Sequence, residues 1–138
     1  MLPSINPVVD LYNAVSLRFA VPVGGENIDA YLGSPRLTIA DGTEAFDTTA
    51  NGAPVIEHPD RGEVIWRDDL GVTCRRWNWR QGSRTRIDAL TGRMWFVLEG
   101  LETMPADALD EAARFLELGL RTLIPDCVTA RETITPTV

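Results

Sequence analysis

The side chains best suited to chemistry crowd into one stretch, Cys74-Arg75-Arg76-Trp77-Asn78-Trp79-Arg80, followed directly by Gln81-Gly82-Ser83-Arg84-Thr85-Arg86. Guanidinium groups carry forked donors that match phosphate or carboxylate. Tryptophan rings stack on bases or wall an aromatic pocket. Read as a strand over Val72–Arg80, the stretch alternates between two faces. Arg75, Trp77 and Trp79 then share one face, and Cys74, Arg76, Asn78 and Arg80 share the other. The Gly82–Arg86 turn offers small residues and backbone N–H groups that could cradle an oxyanion. The competing explanation is architectural: the tryptophans anchor a core, the arginines pair with acids, and the turn is an ordinary hairpin.

Glu99 is the one acid in the apolar run Met94–Gly100. In a strand it shares a face with Trp95 and Val97, where a carboxylate needs a partner, either an internal arginine or a polar group on a ligand. Asn13 lies off the apolar stripe of the first helical segment, near Val9 and Ser16, where it can cap a loop or line a cleft. Gly24-Gly25 reads as a turn first and an anion nest second. His58, the single histidine, sits in a loop, Glu57-His58-Pro59-Asp60. With no Gly-x-Ser-x-Gly elbow and no Ser or Cys set beside that histidine, a nucleophilic triad is not expected, and no catalytic residue is assigned. Asp68-Asp69 reads as a solvated turn, because adjacent strand residues point oppositely. Cys74 and Cys127 form no CxxC and no Cys/His cluster, so zinc is not expected and both are read as reduced thiols.

Charge is distributed unevenly. The chain has 138 residues, a net charge of −7, and arginine as its only strong cation. Residues 1–70 hold four arginines against eleven acids, residues 71–93 hold six against Asp88 alone, and residues 94–138 hold three against eight. The acidic total argues against avid non-specific binding to nucleic acid, DNA included. The local positive stretch suits one anionic end of a ligand. No apolar run approaches the ~18–20 residues of a membrane span, and the first residues lack the form of a secretory signal. A cytoplasmic protein without a membrane partner is the expectation.

The elements that must position these groups follow from periodicity. Asn6 suits an N-cap and Pro7 a first helical position. Val8, Leu11, Tyr12, Val15 and Phe19 then form an apolar stripe to about Arg18. Strand patterns fall at Arg36–Ala40, Pro54–Glu57, Glu63–Trp66, Val72–Arg80, Ser83–Ile87 and Met94–Glu99, separated by turn signals such as Asn51-Gly52 and Arg61-Gly62. A second helix is predicted from Asp107 to Leu123, striped by Leu109, Ala113, Leu116 and Leu120 and stopped by Pro125. The order helix, strands, helix predicts an α+β fold, with a β-sandwich-like core of about six strands flanked by the two helices. The length suits one domain, residues 1–131, followed by a flexible tail over 132–138. The immediate entry into the first helix reads as either a fragment lacking an N-terminal portion or a shortened version of a longer domain.

Ile5-Asn6-Pro7-Val8-Val9-Asp10-Leu11-Tyr12-Asn13-Ala14-Val15 resembles the N-P-V-V-D-V-T-N-Y-V signature of the B3/B4 domain of the phenylalanyl-tRNA synthetase β subunit. Gly71-Val72, Thr91 and Val97-Leu98-Glu99 follow the order of its later blocks, and the Arg/Trp string is similar to that of freestanding B3/B4-domain proteins. The likeness spans roughly residues 3–101. It implies an α+β domain that hydrolyses the ester of a mischarged tRNA, with the terminal aminoacylated end as its partner and no metal or organic cofactor. Residue by residue, the family asparagine falls on Asn13, and the glutamate that reads the wrong amino acid falls on Glu99. The threonine before the asparagine becomes Tyr12, the family histidine falls near Gly24, and the glycine-rich wall becomes Arg76–Trp79. The resemblance together with the Arg/Trp segment thus gives an expected binding site of Asn13, Glu99, Arg75, Arg76, Trp77, Asn78, Trp79 and Arg80. Alternatives are a non-catalytic tRNA- or amino-acid-binding module and a structural or interaction domain.

Overall fold

The structure, a computed structural model, describes residues 3–135. Helix α1 (Pro7–Phe19) begins as its sequence requires. The Asn6 side chain accepts from the N–H groups of Val8 and Val9, and Pro7 occupies the first turn. The helix ends at Ala20, which is left-handed at φ 53°. Helix α2 (Ala106–Leu123) packs against it. Gly119 permits the approach, since a Cβ there would lie 2.4 Å from the Leu11 side chain. The buried stripe of α2 passes through Ala112, Leu116 and Leu120. Ala113, expected on that stripe, is only partly buried, because the face turned to α1 lies one residue back around the helix.

Strands β1 (Val23–Asn27), β2 (Arg36–Ile39), β3 (Phe46–Ala50), β4 (Ala53–Glu57), β5 (Val64–Arg67), β6 (Val72–Arg75), β7 (Arg80–Gln81) and β8 (Met94–Leu98) form two sheets, with a single 3₁₀ turn at Ile28–Ala30 after β1. β1 and β8 pair antiparallel as a two-stranded ribbon. The other strands form a mixed sheet in the order β2-β5-β6-β3-β4, with β7 on β6 and β3 parallel to β6. The chain is α+β, as its element order predicts.

The ribbon is the middle layer, and its alternation decides what each side sees. Val23, Met94, Phe96 and Leu98 join the apolar core built with α1 and α2. Gly24, Glu26, Trp95 and Val97 face the larger sheet instead. A Cβ on Gly24 would meet Asn78, the Trp95 ring stands edge-on to Trp66 at 5.3 Å, and Glu26 accepts from Thr73 of β6. A smaller core of Ala40, Phe46, Ile65 and Val72 belongs to the larger sheet.

Several expectations are corrected here. Gly24-Gly25 is not a turn: both residues lie within β1, and neither has a positive φ. Gly25 is glycine for space, because a Cβ would sit 2.9 Å from the rings of Phe96 and Tyr12. Ser83–Ile87 is irregular rather than a strand. Val72–Arg80 is broken after Arg75, since Arg76 and Trp77 are left-handed at φ 49° and 68° and turn the chain into β7. The shared faces inferred for Arg75, Trp77 and Trp79, and for Arg76, Asn78 and Arg80, therefore do not exist. Residues 136–138 of the expected tail lie outside the described residues.

Gly25→Ala should destabilise the fold by roughly 1–3 kcal/mol through this overlap. Gly92→Ala, whose added Cβ meets nothing within 4 Å, should change stability by less than about 0.5 kcal/mol. Urea unfolding monitored by tryptophan fluorescence measures both.

Candidate functional site

A cleft of about 560 Å³ opens between α1, the β1–β8 ribbon and the β6–β7 turn. α1 contributes Tyr12, Asn13 and Ser16, and β1 contributes Val23 through Glu26. Trp66, Cys74 and Gln81 enter from the larger sheet, Asn78 and Trp79 from the turn, and Trp95 and Val97 from β8. Gly24 keeps the middle of the β1 side open.

Glu99 follows β8 on the same face as Trp95 and Val97, as the alternation predicts. Its Oε2 accepts from Asn78 Nδ2 at 3.0 Å. The buried indole N–H groups of Trp66 and Trp77 make no hydrogen bond of acceptable geometry, yet both lie near enough to Glu99 to favour its charge. Burial outweighs them and raises its pKa. Asn13, Asn78 and Trp79 line the cleft, whereas Glu99 is outside the lining and connects to it through Asn78.

The arginines have a different placement. Arg75 is 5% exposed. Its Nε and Nη2 donate to Glu63 at 3.0 and 2.8 Å, and its Nη1 donates to Glu57 at 2.9 Å. Arg80 donates to Glu57 through both terminal nitrogens. Arg84 forks onto Asp68, which is fully buried. Arg76 is exposed, and its guanidinium lies 5.2 Å from the centroid of the Trp79 ring. Among the described residues, Arg76 and Arg86 make no ion pair. Three of the six arginines between residues 71 and 93 are thus neutralised by acids brought from residues 57–68.

Those ion pairs position the cleft wall. Glu63 holds the Arg75 fork and also accepts from the Arg76 N–H at 2.9 Å, while the Trp77 N–H donates to Val64 O at 2.8 Å. Two consecutive left-handed residues are costly away from glycine. Anchoring them on both sides aims Asn78 and Trp79 at the cleft. Trp79 is 70% exposed at its rim, whereas Trp77 turns its indole toward Glu99.

Glu26 was not anticipated as a site residue. It is 6% exposed and accepts at Oε1 from Thr85 Oγ1 (2.6 Å), and at Oε2 from the Tyr31 hydroxyl and, at 3.4 Å, from Thr73 Oγ1. Trp95 Nε1 donates in turn to the Tyr31 hydroxyl. Burial raises the Glu26 pKa against these hydroxyl donors. The signal available in the sequence was alternation about Gly24-Gly25, hidden because two glycines read as a turn. Cys74 lines the same space, and burial together with the fields of Glu26 and Glu99 pushes its thiol up to about 12. His58 lies elsewhere, with Nδ1 3.0 Å from Glu44 O.

The architecture defines an α+β domain with one aromatic, amide-lined cleft between a helix-backed ribbon and a mixed sheet. The chain belongs to the B3/4 domain family, which it matches over residues 1–117. Membership supports a tRNA-related binding or editing domain with a relation to phenylalanyl-tRNA synthetase. No curated protein matches the chain.

Arg75→Met should cost about 3–5 kcal/mol, because it strands buried carboxylate charge. The Arg75 fork, aided by backbone N–H groups and opposed by burial, holds the Glu63 pKa down to about 2. The unfolded chain therefore binds the extra proton first, so this stabilisation is complete above the ordinary glutamate range and is lost as pH falls toward 2. Acid titration of urea midpoints should show that loss in the parent chain and a much shallower one in Arg75→Met.

Proposed function

We propose that the chain is a freestanding aminoacyl-tRNA editing domain of the cytoplasm that hydrolyses the ester of a mischarged tRNA. The observation that carries this reading is a cleft lined by Asn13 and by Asn78, which Glu99 holds from behind, whose rim bears an exposed Trp79 with Arg76 stacked on it. The cleft receives the aminoacyl group, and the rim meets the terminal nucleotide. An exposed indole with a guanidinium on its face suits base stacking, and an arginine free of acids suits a phosphate. Arg75 and Arg80 act by holding the turn, and Trp77 by packing against Glu99. Ester cleavage then relies on an oriented water and fixed polar groups, because an activated ester demands little more.

A second reading, a module that binds aminoacyl-tRNA without cleaving it, is favoured by one observation. The cleft-lining thiol is held protonated, and no imidazole is among the lining residues.

A deacylation screen across a panel of charged tRNAs separates the two. The editing reading expects hydrolysis of at least one mischarged species, and a loss of about a hundredfold in the double variant Glu99→Ala/Arg76→Ala. Undiminished hydrolysis in that variant overturns the site. Salt-sensitive binding with no hydrolysis selects the second reading. Trp79→Ala should weaken tRNA binding about tenfold under either reading, as lost stacking on one base predicts.

A further inference from the structure

Three acids are buried among the described residues: Asp68, Glu44 and Glu26. Away from the cleft, Asp68 holds Arg84 and Glu44 lies 3.7 Å from Arg67. Glu26, which lines the cleft, holds none among the described residues, and neither does the half-buried Glu99 behind Asn78. Glu26 is the more deeply buried and the charged residue of the cleft lining. The groups packed around it are Tyr31, Thr73, Thr85, Gln81 and Trp95, with Tyr12 and Cys74 near enough to feel its charge. These are uncharged donors or neutral thiol and phenol groups. Three hydroxyls and the Gln81 amide surround the carboxylate, and none of them carries a positive charge.

A carboxylate buried beside an open cleft without a cation is an incomplete ion pair, and such a group is costly until its counter-charge arrives. The surrounding surface favours the same complement. Trp66, Trp79, Trp95 and Tyr12 line the cleft with π faces that attract a cation. A phosphate there would meet a carboxylate and no guanidinium.

We propose that the cleft takes a protonated amine and that Glu26 is the carboxylate that holds it. This deepens the editing reading and rests on it for the ligand's identity: the amine is the α-ammonium group of the aminoacyl end. Phosphates stay outside, at the rim with Arg76. Glu26 is a specificity residue, which favours a free amine over an acylated one and leaves the ester chemistry to other groups.

The test compares L-tyrosinamide, a cation, with N-acetyl-L-tyrosinamide, its neutral counterpart, by NMR titration of the full chain. The indole signals of Trp66 and Trp95 and the amides of Gly24 and Gly25 report on the cleft. The free amine should bind at least about tenfold more tightly than the acetylated compound. Glu26→Gln should abolish that preference, and Glu99→Gln should retain it. Equal affinity for the two compounds, or no saturable shift from either, overturns the proposal. Because the first comparison uses the unaltered chain, a variant that fails to fold does not blunt it. A parallel deacylation assay uses aminoacyl-tRNA and its N-acetylated form. Equal hydrolysis of both overturns the role of Glu26 while leaving the editing reading intact. Amine-selective binding without hydrolysis sustains the role of Glu26 and removes catalysis.

Discussion

The antiparallel ladder between β1 and β8 is the constraint on which the rest depends. Its register, with Gly24 opposite Val97 and Glu26 opposite Trp95, sends Met94, Phe96 and Leu98 into the helical core and Glu26, Trp95 and Val97 toward the larger sheet. A slip of one residue would reverse both faces, placing carboxylates among the helices and a phenylalanine in the cleft. The ribbon can sit between two layers because each face has its own cover. Gly25 fits beneath Tyr12 and Phe96, and Gly24 leaves open the space that becomes the cleft.

Charge is organised around that middle layer. The positive stretch looks outward in the sequence and is directed largely inward in the fold. Arg75, Arg80 and Arg84 tie β6, β7 and the following turn to Glu57, Glu63 and Asp68. A buried ion pair adds little net stability over apolar packing, but it can fix a geometry. Here that geometry is the left-handed pair Arg76-Trp77, anchored through Glu63 and Val64. The arginines shape the cleft wall, while the cleft itself is polar, aromatic and acidic.

Beside the family resemblance, the cleft shows a changed composition. The bulky turn Arg76–Trp79 stands where a glycine-rich wall is implied, and Gly24 lies near the position of an imidazole. The structure relates the two changes. Gly24 and Asn78 face each other, with a Cβ at Gly24 calculated to lie 3.4 Å from that of Asn78, so space given up on one wall is taken by the other. Asn78 then reaches Glu99, linking the new wall to a residue that the family motif already contains.

Both helices were legible in the sequence, because capping at Asn6-Pro7 and apolar repeats at three- and four-residue spacing are local properties of the chain. So was the placement of Glu99 with Trp95 and Val97, since alternation along one strand needs no knowledge of its neighbours. Asn13 was legible for the same reason, as the polar residue off the α1 stripe. The break after Arg75 was not legible: arginine and tryptophan give no signal for left-handed backbone, and the bonds that hold them there come from residues 63 and 64. The partners of the arginines were equally hidden, since ion pairs spanning 12 to 23 residues depend on strand order. Glu26 shows the limit most clearly. Its type and position were visible, but its burial, its hydroxyl donors from residues 31, 73 and 85, and its lack of a cation exist only once two sheets close over it. The sequence determined the two helices and the alternation along β8, because these depend on neighbours within one segment. Tertiary structure alone decided which charges were neutralised and which were left facing the cleft, because that depends on contacts between segments remote in the chain.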